Sequence, residues 1–259
     1  FAAVPALQHQ ADLAEVWLPR ITANAYDPRN IPADQKTACT IGMAMTEKQG
    51  GSDVRANTTR AEAQPDGSHR LVGHKWFCSA PMSDAFLTLA YEGDDQLSCF
   101  LVPRWTPDGE PNAMNLQRLK DKLGDRANAS SEIEYDHAWA TRVGDPGRGV
   151  RTIIEMVQHT RIDCVVASSA IMRQGLVQAI HHADHRETFG KRLLEQPLMQ
   201  NVLADLALEV EGATAMAFRL VQAFEAGRTD EKEAALARIG TAVGKYYICK
   251  RAPQTVNEA

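Results

Sequence analysis

Over the first twenty residues, Leu7, Ala11, Ala14 and Trp17 recur at helical spacing, which predicts the end of a helix over residues 5–23. A loop rich in Asp, Pro and Asn follows at 27–32. From about residue 39 the period shortens. Apolar or alternating stretches at 41–46, 58–63, 70–77, 86–91, 97–102, 115–119 and 132–135 read as strands of an antiparallel β domain. Turn chemistry separates several of them: Pro65-Asp66-Gly67-Ser68, Glu92-Gly93-Asp94-Asp95 and Pro107-Asp108-Gly109. From Gly149 the helical period returns. Ile153, Val157, Thr160, Cys164, Ala167 and Ile171 fall on one stripe of a helix that runs to about His185. A second helix carries Val202, Leu206, Val210, Ala213, Ala217, Leu220 and Phe224 on one face. A third starts near Thr229 and carries Leu236, Ile239, Val243 and Tyr247. Three long amphipathic helices with short loops predict an antiparallel bundle, and the architecture is α+β. Three stripes bury poorly alone, so a further helix or a second subunit is expected to cover them.

Composition narrows the class but names no function. The chain has 259 residues with 44% hydrophobic and 24% charged content, so folded domains are expected rather than disorder. A net charge of −5 gives no general attraction to nucleic acid or anionic lipid. No apolar run is long enough for a membrane span, and residues 1–17 lack the basic-then-apolar pattern of a signal peptide, so no membrane association is expected. The five cysteines are odd in number, widely spaced and without a CxxC pair, which fits reduced thiols in a cytoplasmic protein and no metal site. Thr255-Val256-Asn257-Glu258-Ala259 reads as helix with no capping signal, so the chain is expected to be a fragment.

Four stretches could carry chemistry. Met43-Ala44-Met45-Thr46-Glu47-Lys48-Gln49-Gly50-Gly51-Ser52-Asp53 runs from a strand into a Gly-Gly loop flanked by hydroxyls. Such a loop lets backbone N–H groups approach a flat polar ring or a phosphate, though an ordinary turn with a Ser-Asp cap has the same composition. Gly73-His74-Lys75-Trp76-Phe77-Cys78-Ser79 is a strand ending in two aromatics and a hydroxyl. Alternation puts one aromatic on each side, either as packing or as a ring-stacking wall. His185-Arg186-Glu187-Thr188-Phe189-Gly190-Lys191 follows a long helix; it suits a phosphate, with Arg as a bidentate donor, or simply helix C-terminal chemistry. Lys122-Leu123-Gly124-Asp125-Arg126-Ala127-Asn128-Ala129-Ser130 reads as a solvated loop, with Asp121 and Asp125 interrupting its positive charge.

In order, these stretches resemble the acyl-CoA dehydrogenase superfamily. Its pattern has T-E-x-x-x-G-S-D, then G-x-K-x-(W/F)-x-(T/S), then K-(M/L)-G-x-R-x-S, then R-x-x-F-G at the end of the first long C-terminal helix. The strings MTEKQGGSDVRANTTRAE and LKDKLGDRANASSE are similar to the AidB-like branch, linked to the adaptive response to DNA alkylation. The resemblance implies a remnant of an N-terminal helical domain (1–38), a middle β-barrel domain (39–145) and a truncated C-terminal helical bundle (146–259). It implies FAD between the barrel and the bundle, and a dimer or tetramer. Met43, Ala44, Met45, Thr46, Gly51, Ser52, Phe77, Cys78 and Ser79 match cofactor-binding positions, with Phe77 against the isoalloxazine and the Ser79 hydroxyl at flavin N5. Arg186 and Phe189 match residues that reach the FAD of a neighbouring subunit.

The implied reaction is α,β-dehydrogenation of an acyl-CoA thioester, in which a glutamate removes the α-proton and hydride passes to the flavin. This chain stops before the family's usual glutamate. The alternative position just before the arginine of the first long helix is Thr160, before Arg161, so no catalytic residue is assigned. Pro197 stands where many relatives carry a glutamine, a feature shared with the AidB-like branch. The implied alternatives are a flavoprotein protecting DNA against alkylation, whose DNA-binding region would lie outside this chain, and a scaffold without flavin.

Overall fold

Seven strands form the sheet of the first unit: β1 (Ile41–Ala44), β2 (Arg60–Ala63), β3 (His69–Ser79), β4 (Ala85–Glu92), β5 (Gln96–Pro103), β6 (Met114–Leu119) and β7 (Ser130–Val143). Pairing runs β1-β4-β2-β3-β7-β5, and β5 also pairs with β4, so the path closes on itself as a barrel, with β6 attached to β7. The turns at 65–68 and 92–95 sit where expected, between β2 and β3 and between β4 and β5. Asp66 fixes the first by accepting from the Ser68 N–H and hydroxyl at 2.9 and 2.7 Å. The computed structural model describes residues 1–259 and divides into two units, 1–156 and 157–259.

β7 is much longer than the stretch 132–135 expected from alternation. The partners of Leu71 and Val72 are Ala138 and Asp136, so His137 is an extra residue, and its φ of +57° marks a bulge. The bulge flips the period-two pattern in mid-strand, which hides the second half of the strand from an alternation test.

β4 and β5 are buried along most of their length on both faces. One face lines the barrel interior with Leu71, Phe86, Phe100, Ile133 and Tyr135. The other packs Leu87, Leu89, Cys99 and Leu101 against Ala6, Leu7 and Trp17 of two short helices, α1 (Val4–Leu7) and α2 (Ala11–Ile21). The single helix expected over 5–23 is thus two, because Gln10 takes an extended backbone between them. A 37-residue helix, α3 (Gly149–His185), begins in this unit. A Cβ at Gly149 would lie 2.3 Å from the Ser98 carbonyl carbon, so only glycine lets α3 start this close to β5.

The second unit holds the rest of α3, a small hairpin of β8 (Glu187–Thr188) and β9 (Lys191–Arg192), and helices α4 (Pro197–Ala226) and α5 (Glu231–Glu258). Pro197 opens α4 in the first turn, where its missing N–H costs nothing. The Asp230 carboxylate caps α5 by accepting from the N–H groups of Lys232 and Glu233. Leu206, Val210, Ala213, Ala217 and Leu220 form the buried stripe of α4, as the periodicity predicts.

The stripes expected for α3 and α5 are corrected. On α3 Ile153 is buried as expected, with Thr152 and Met156, but further along the buried positions are Ile162, Val165, Ser169, Met172, Leu176 and Ala183, whereas Ile171 is exposed. On α5 they are Ala237, Thr241, Gly244, Ile248, Ala252 and Thr255, whereas Leu236, Ile239, Val243 and Tyr247 face outward. The reason is close approach. A Cβ on Gly240 or Gly244 would meet a Leu220 methyl at 2.6 or 2.8 Å, so α5 turns its small residues to α4 and leaves its large apolar ones outside. No helix is long and apolar enough to cross a membrane. The five cysteines are free.

Candidate functional site

The loop after β1 and the end of β3 are brought together. The Trp76 N–H donates to the Thr46 carbonyl at 2.8 Å. Beneath that bond lies a buried ion pair, Lys75 Nζ to Glu47 Oε1 at 2.8 Å, with Lys75 fully buried and Glu47 nearly so. The Glu47 carboxylate also accepts from the Thr58 N–H and hydroxyl at 2.6 and 2.9 Å and from the Thr59 N–H and hydroxyl at 3.2 and 2.6 Å. Lys75 donates in addition to the Leu89 carbonyl at 2.8 Å. Burial alone would push Glu47 up, but the Lys75 charge and these donors outweigh it and hold the carboxyl at about 2. The hub therefore pins the start of the Gly-Gly loop to β3, to β4 and to the segment leading into β2. Both residues stand in the quoted stretches, but their structural part shows only once the fold places one above the other.

Above the hub, alternation fails again. Lys75 pairs with Ile133 and Cys78 with Ser131, so the segment Trp76-Phe77 holds one residue too many and bulges. Both aromatics therefore lie outside the barrel, which corrects the expectation of one on each side. Trp76 is half-buried beneath Lys120, whose Nζ is 3.2 Å from the ring centroid. Phe77 is 45% exposed, with the same Nζ 4.8 Å from its ring. Lys120 is held there by Glu132 at 2.7 Å. Lys120 falls next to the stretch read as a solvated loop; its cation–π role carries no sequence signal.

The Ser79 hydroxyl lies 2.9 Å from that of Ser130, its cross-strand partner, and Lys122 Nζ donates to Ser130 Oγ at 3.3 Å. An ammonium can only donate. Ser130 accepts from Lys122 and keeps a second lone pair and a proton, so between the two serines either hydroxyl can be the donor.

The other expected residues divide by burial. Gly51 and Ser52 are exposed in the loop, and a Cβ on Gly51 would meet Thr46 Oγ1 at 2.8 Å, so glycine keeps the Thr46 hydroxyl accessible. Met43 and Met45 are half-buried against the core shared with α1 and α2. Ala44 and Cys78 are buried inside the barrel, so only their backbone can meet a ligand. Burial pushes the Cys78 thiol up to about 12, which makes it inert.

In the second unit, Arg186 and Phe189 sit on the β8–β9 hairpin. The Arg186 N–H donates to the His182 carbonyl at 2.9 Å, and its own carbonyl accepts from the Leu193 N–H at 2.8 Å. Phe189 is fully exposed with φ of +53°, followed by Gly190 at +73°. A bulky residue in the left-handed region is strained, and strain at an exposed aromatic points to use. Phe189→Asn is expected to raise stability by roughly 1 kcal/mol in urea unfolding, because Asn tolerates this conformation. A loss of stability would mean that the ring makes a contact worth more than the strain.

Residues 42–138 match the family description "Acyl-CoA dehydrogenase, middle domain" and residues 147–259 match "Acyl-CoA dehydrogenase, C-terminal domain". The chain is 50% identical to AidB of Escherichia coli (strain K12) over 260 residues, 100% of this chain and 48% of that protein. The solved Caenorhabditis elegans ACDH-11 in complex with C11-CoA superimposes with a TM-score of 0.88 at 34% identity, covering 99% of this chain and 45% of that one. A Bacillus anthracis acyl-CoA dehydrogenase complexed with FAD shares the fold, with a TM-score of 0.65 at 19% identity over 83% of this chain and 37% of that one. The chain thus spans about half the length of the curated relatives it matches. With both family descriptions in the order the motifs required, this chain belongs to the acyl-CoA dehydrogenase family.

Proposed function

We propose that this chain is the cofactor-holding part of an FAD-dependent oxidoreductase that dehydrogenates acyl-CoA thioesters. The observation that carries the reading is the surface formed by exposed Phe77, the Ser79 hydroxyl and the Gly50-Gly51 loop, beside one buried ion pair. Its shape and donors suit a flavin. Phe77 offers a flat apolar wall, and Ser79 a hydroxyl that can donate to a ring nitrogen. The loop from Met43 to Ser52 offers backbone N–H groups and the Thr46 and Ser52 hydroxyls. FAD, when bound, supplies the acceptor for the hydride removed from the substrate. We assign the proton-removing carboxylate to no residue of this chain.

Arg186 and Phe189 fit a role toward the cofactor of a neighbouring subunit, in a dimer or tetramer. The outward apolar residues of α5 are surface that such assembly would cover. Free, widely spaced thiols favour a reducing, cytoplasmic setting. The identity to AidB supports a second reading, a flavoprotein of the alkylation response whose DNA contacts lie outside this chain.

The test is the absorption spectrum of the purified full-length protein, titrated with acyl-CoA thioesters of graded length. A flavin spectrum that bleaches with one of them supports the oxidoreductase. A flavin that no thioester bleaches, in a protein that retains duplex DNA in a salt-dependent manner, supports the second reading. A colourless protein overturns both. Within the first reading, Ser79→Ala is expected to weaken FAD retention by about 1 kcal/mol and to shift the flavin potential. Unchanged retention and potential would remove Ser79 from the site.

A further inference from the structure

We propose that a second site in the first unit, a groove between α2 and the ends of β5 and β7, binds a small quaternary alkylammonium ion. The groove encloses about 520 Å³ and shares no lining residue with the surface around Phe77. Of the chain's 4 tryptophans, Trp17, Trp105 and Trp139 all line it, although they come from distant parts of the sequence. Two carboxylates, Asp34 and Asp108, complete the lining, and no lysine, arginine or histidine does. Two arginines reach the backbone of the lining, Arg20 at the carbonyls of Val16 and Asp34 and Arg29 at the carbonyl of Gln35, and neither pairs with the Asp34 or Asp108 carboxylate.

Indole rings with nearby carboxylates recognise one chemistry well. A quaternary ammonium is drawn to the ring quadrupole, carries apolar methyl groups that the rings desolvate, and is neutralised by an acid at the rim. An anion would meet two like charges here, and a neutral apolar molecule would make no use of them.

The walls are built before any ligand arrives. Trp17 is 5% exposed and forms the floor. Trp105 is steadied by its indole N–H, which donates to Asn30 Oδ1 at 3.3 Å. Asn112 ties the strand ends together, donating to the carbonyls of Pro103 and Trp139 at 2.7 and 2.8 Å and accepting from the Trp139 N–H at 2.8 Å. Fixed rings lose little freedom on binding, which favours a small ligand. The site is independent of the flavin reading.

The experiment follows the indole N–H resonances of the 259-residue chain by NMR, with choline, tetramethylammonium and the neutral isostere 3,3-dimethylbutan-1-ol as probes. The expected result is saturable shifts of the Trp105 and Trp139 signals with both cations and at least about tenfold weaker binding of the isostere. Asp34→Asn with Asp108→Asn, both at exposed positions, should weaken the cations and leave the isostere unchanged. Trp105→Phe should weaken the cations while keeping the wall filled. Equal binding of the isostere would reduce the groove to an apolar hollow and overturn the proposal. So would the absence of saturable shifts, or an unchanged affinity in the doubly neutralised variant.

Discussion

Lys75→Met is expected to lower stability by about 3–5 kcal/mol, because it strands the Glu47 carboxylate in the barrel wall without its counter-charge. The lysine is fully buried, and its ammonium has two acceptors, the Glu47 carboxylate and the Leu89 carbonyl. Removing it leaves a charge that only the Thr58 and Thr59 donors stabilise. The measurement is urea unfolding of the variant, and a loss below about 1 kcal/mol would show that the pair contributes as little as a surface one. The companion variant Glu47→Gln should also lose stability, since Lys75 is then the orphan. Replacing both by apolar residues of similar volume should recover much of the loss. The same pair gives a pH signature. Glu47 sits at about 2 in the folded chain against an ordinary 4.5, so its folded state is the more acidic. The stability it contributes is complete above pH 4.5 and is lost as pH falls through about 2. Lys75→Met should remove that acid dependence from the unfolding curve.

The consequence reaches the candidate site, because the hub stands directly under the bond between Thr46 and Trp76. A loosened hub frees the Gly-Gly loop from the aromatic strand, and the variant should retain flavin poorly even where it stays folded. A buried ion pair is an expensive way to hold two segments, and its use here fits the need to fix one loop conformation rather than to add stability.

Much of this was legible in the chain, and the failures share one cause. Strand positions, hairpin turns and the order of helix and sheet follow from period and turn residues, and the first two motif stretches are joined by the bond between Trp76 and Thr46. What alternation missed lies at bulges. His137 hides half of β7, and the extra residue at Trp76-Phe77 puts both aromatics on the outside. The α5 stripe failed for a related reason. Apolar periodicity ranks residues by hydrophobicity, whereas a helix that approaches its neighbour through Gly240 and Gly244 ranks them by size. The hub and the Lys122–Ser130–Ser79 chain were invisible because each joins residues far apart in sequence, and a charged residue in a motif reads by default as solvent-facing.

Gly73→Ala is the sharper test of how the barrel serves the site. Gly73 has φ of +151°, where side chains are rarely found, and a Cβ there would lie 2.6 Å from Thr59 Oγ1 and 2.7 Å from Thr59 Cα. The backbone atom cannot swing aside as a side chain can, so β3 or the segment carrying Thr59 must shift. Thr59 is itself fully buried and donates to Glu47 at 2.6 Å, so the shift pulls on the hub. Overpacking of this kind costs about 1–3 kcal/mol, and the strained backbone adds a comparable amount. A control separates the two. Gly67 also has a positive φ, +85°, but a Cβ there meets nothing within 4 Å, so Gly67→Ala carries the backbone cost alone. Urea unfolding should place Gly73→Ala well below Gly67→Ala, and flavin retention should fall in the first variant only. Equal losses in the two would mean that β3 yields around the new methyl, and that the close approach to Thr59 does nothing to hold the loop in place.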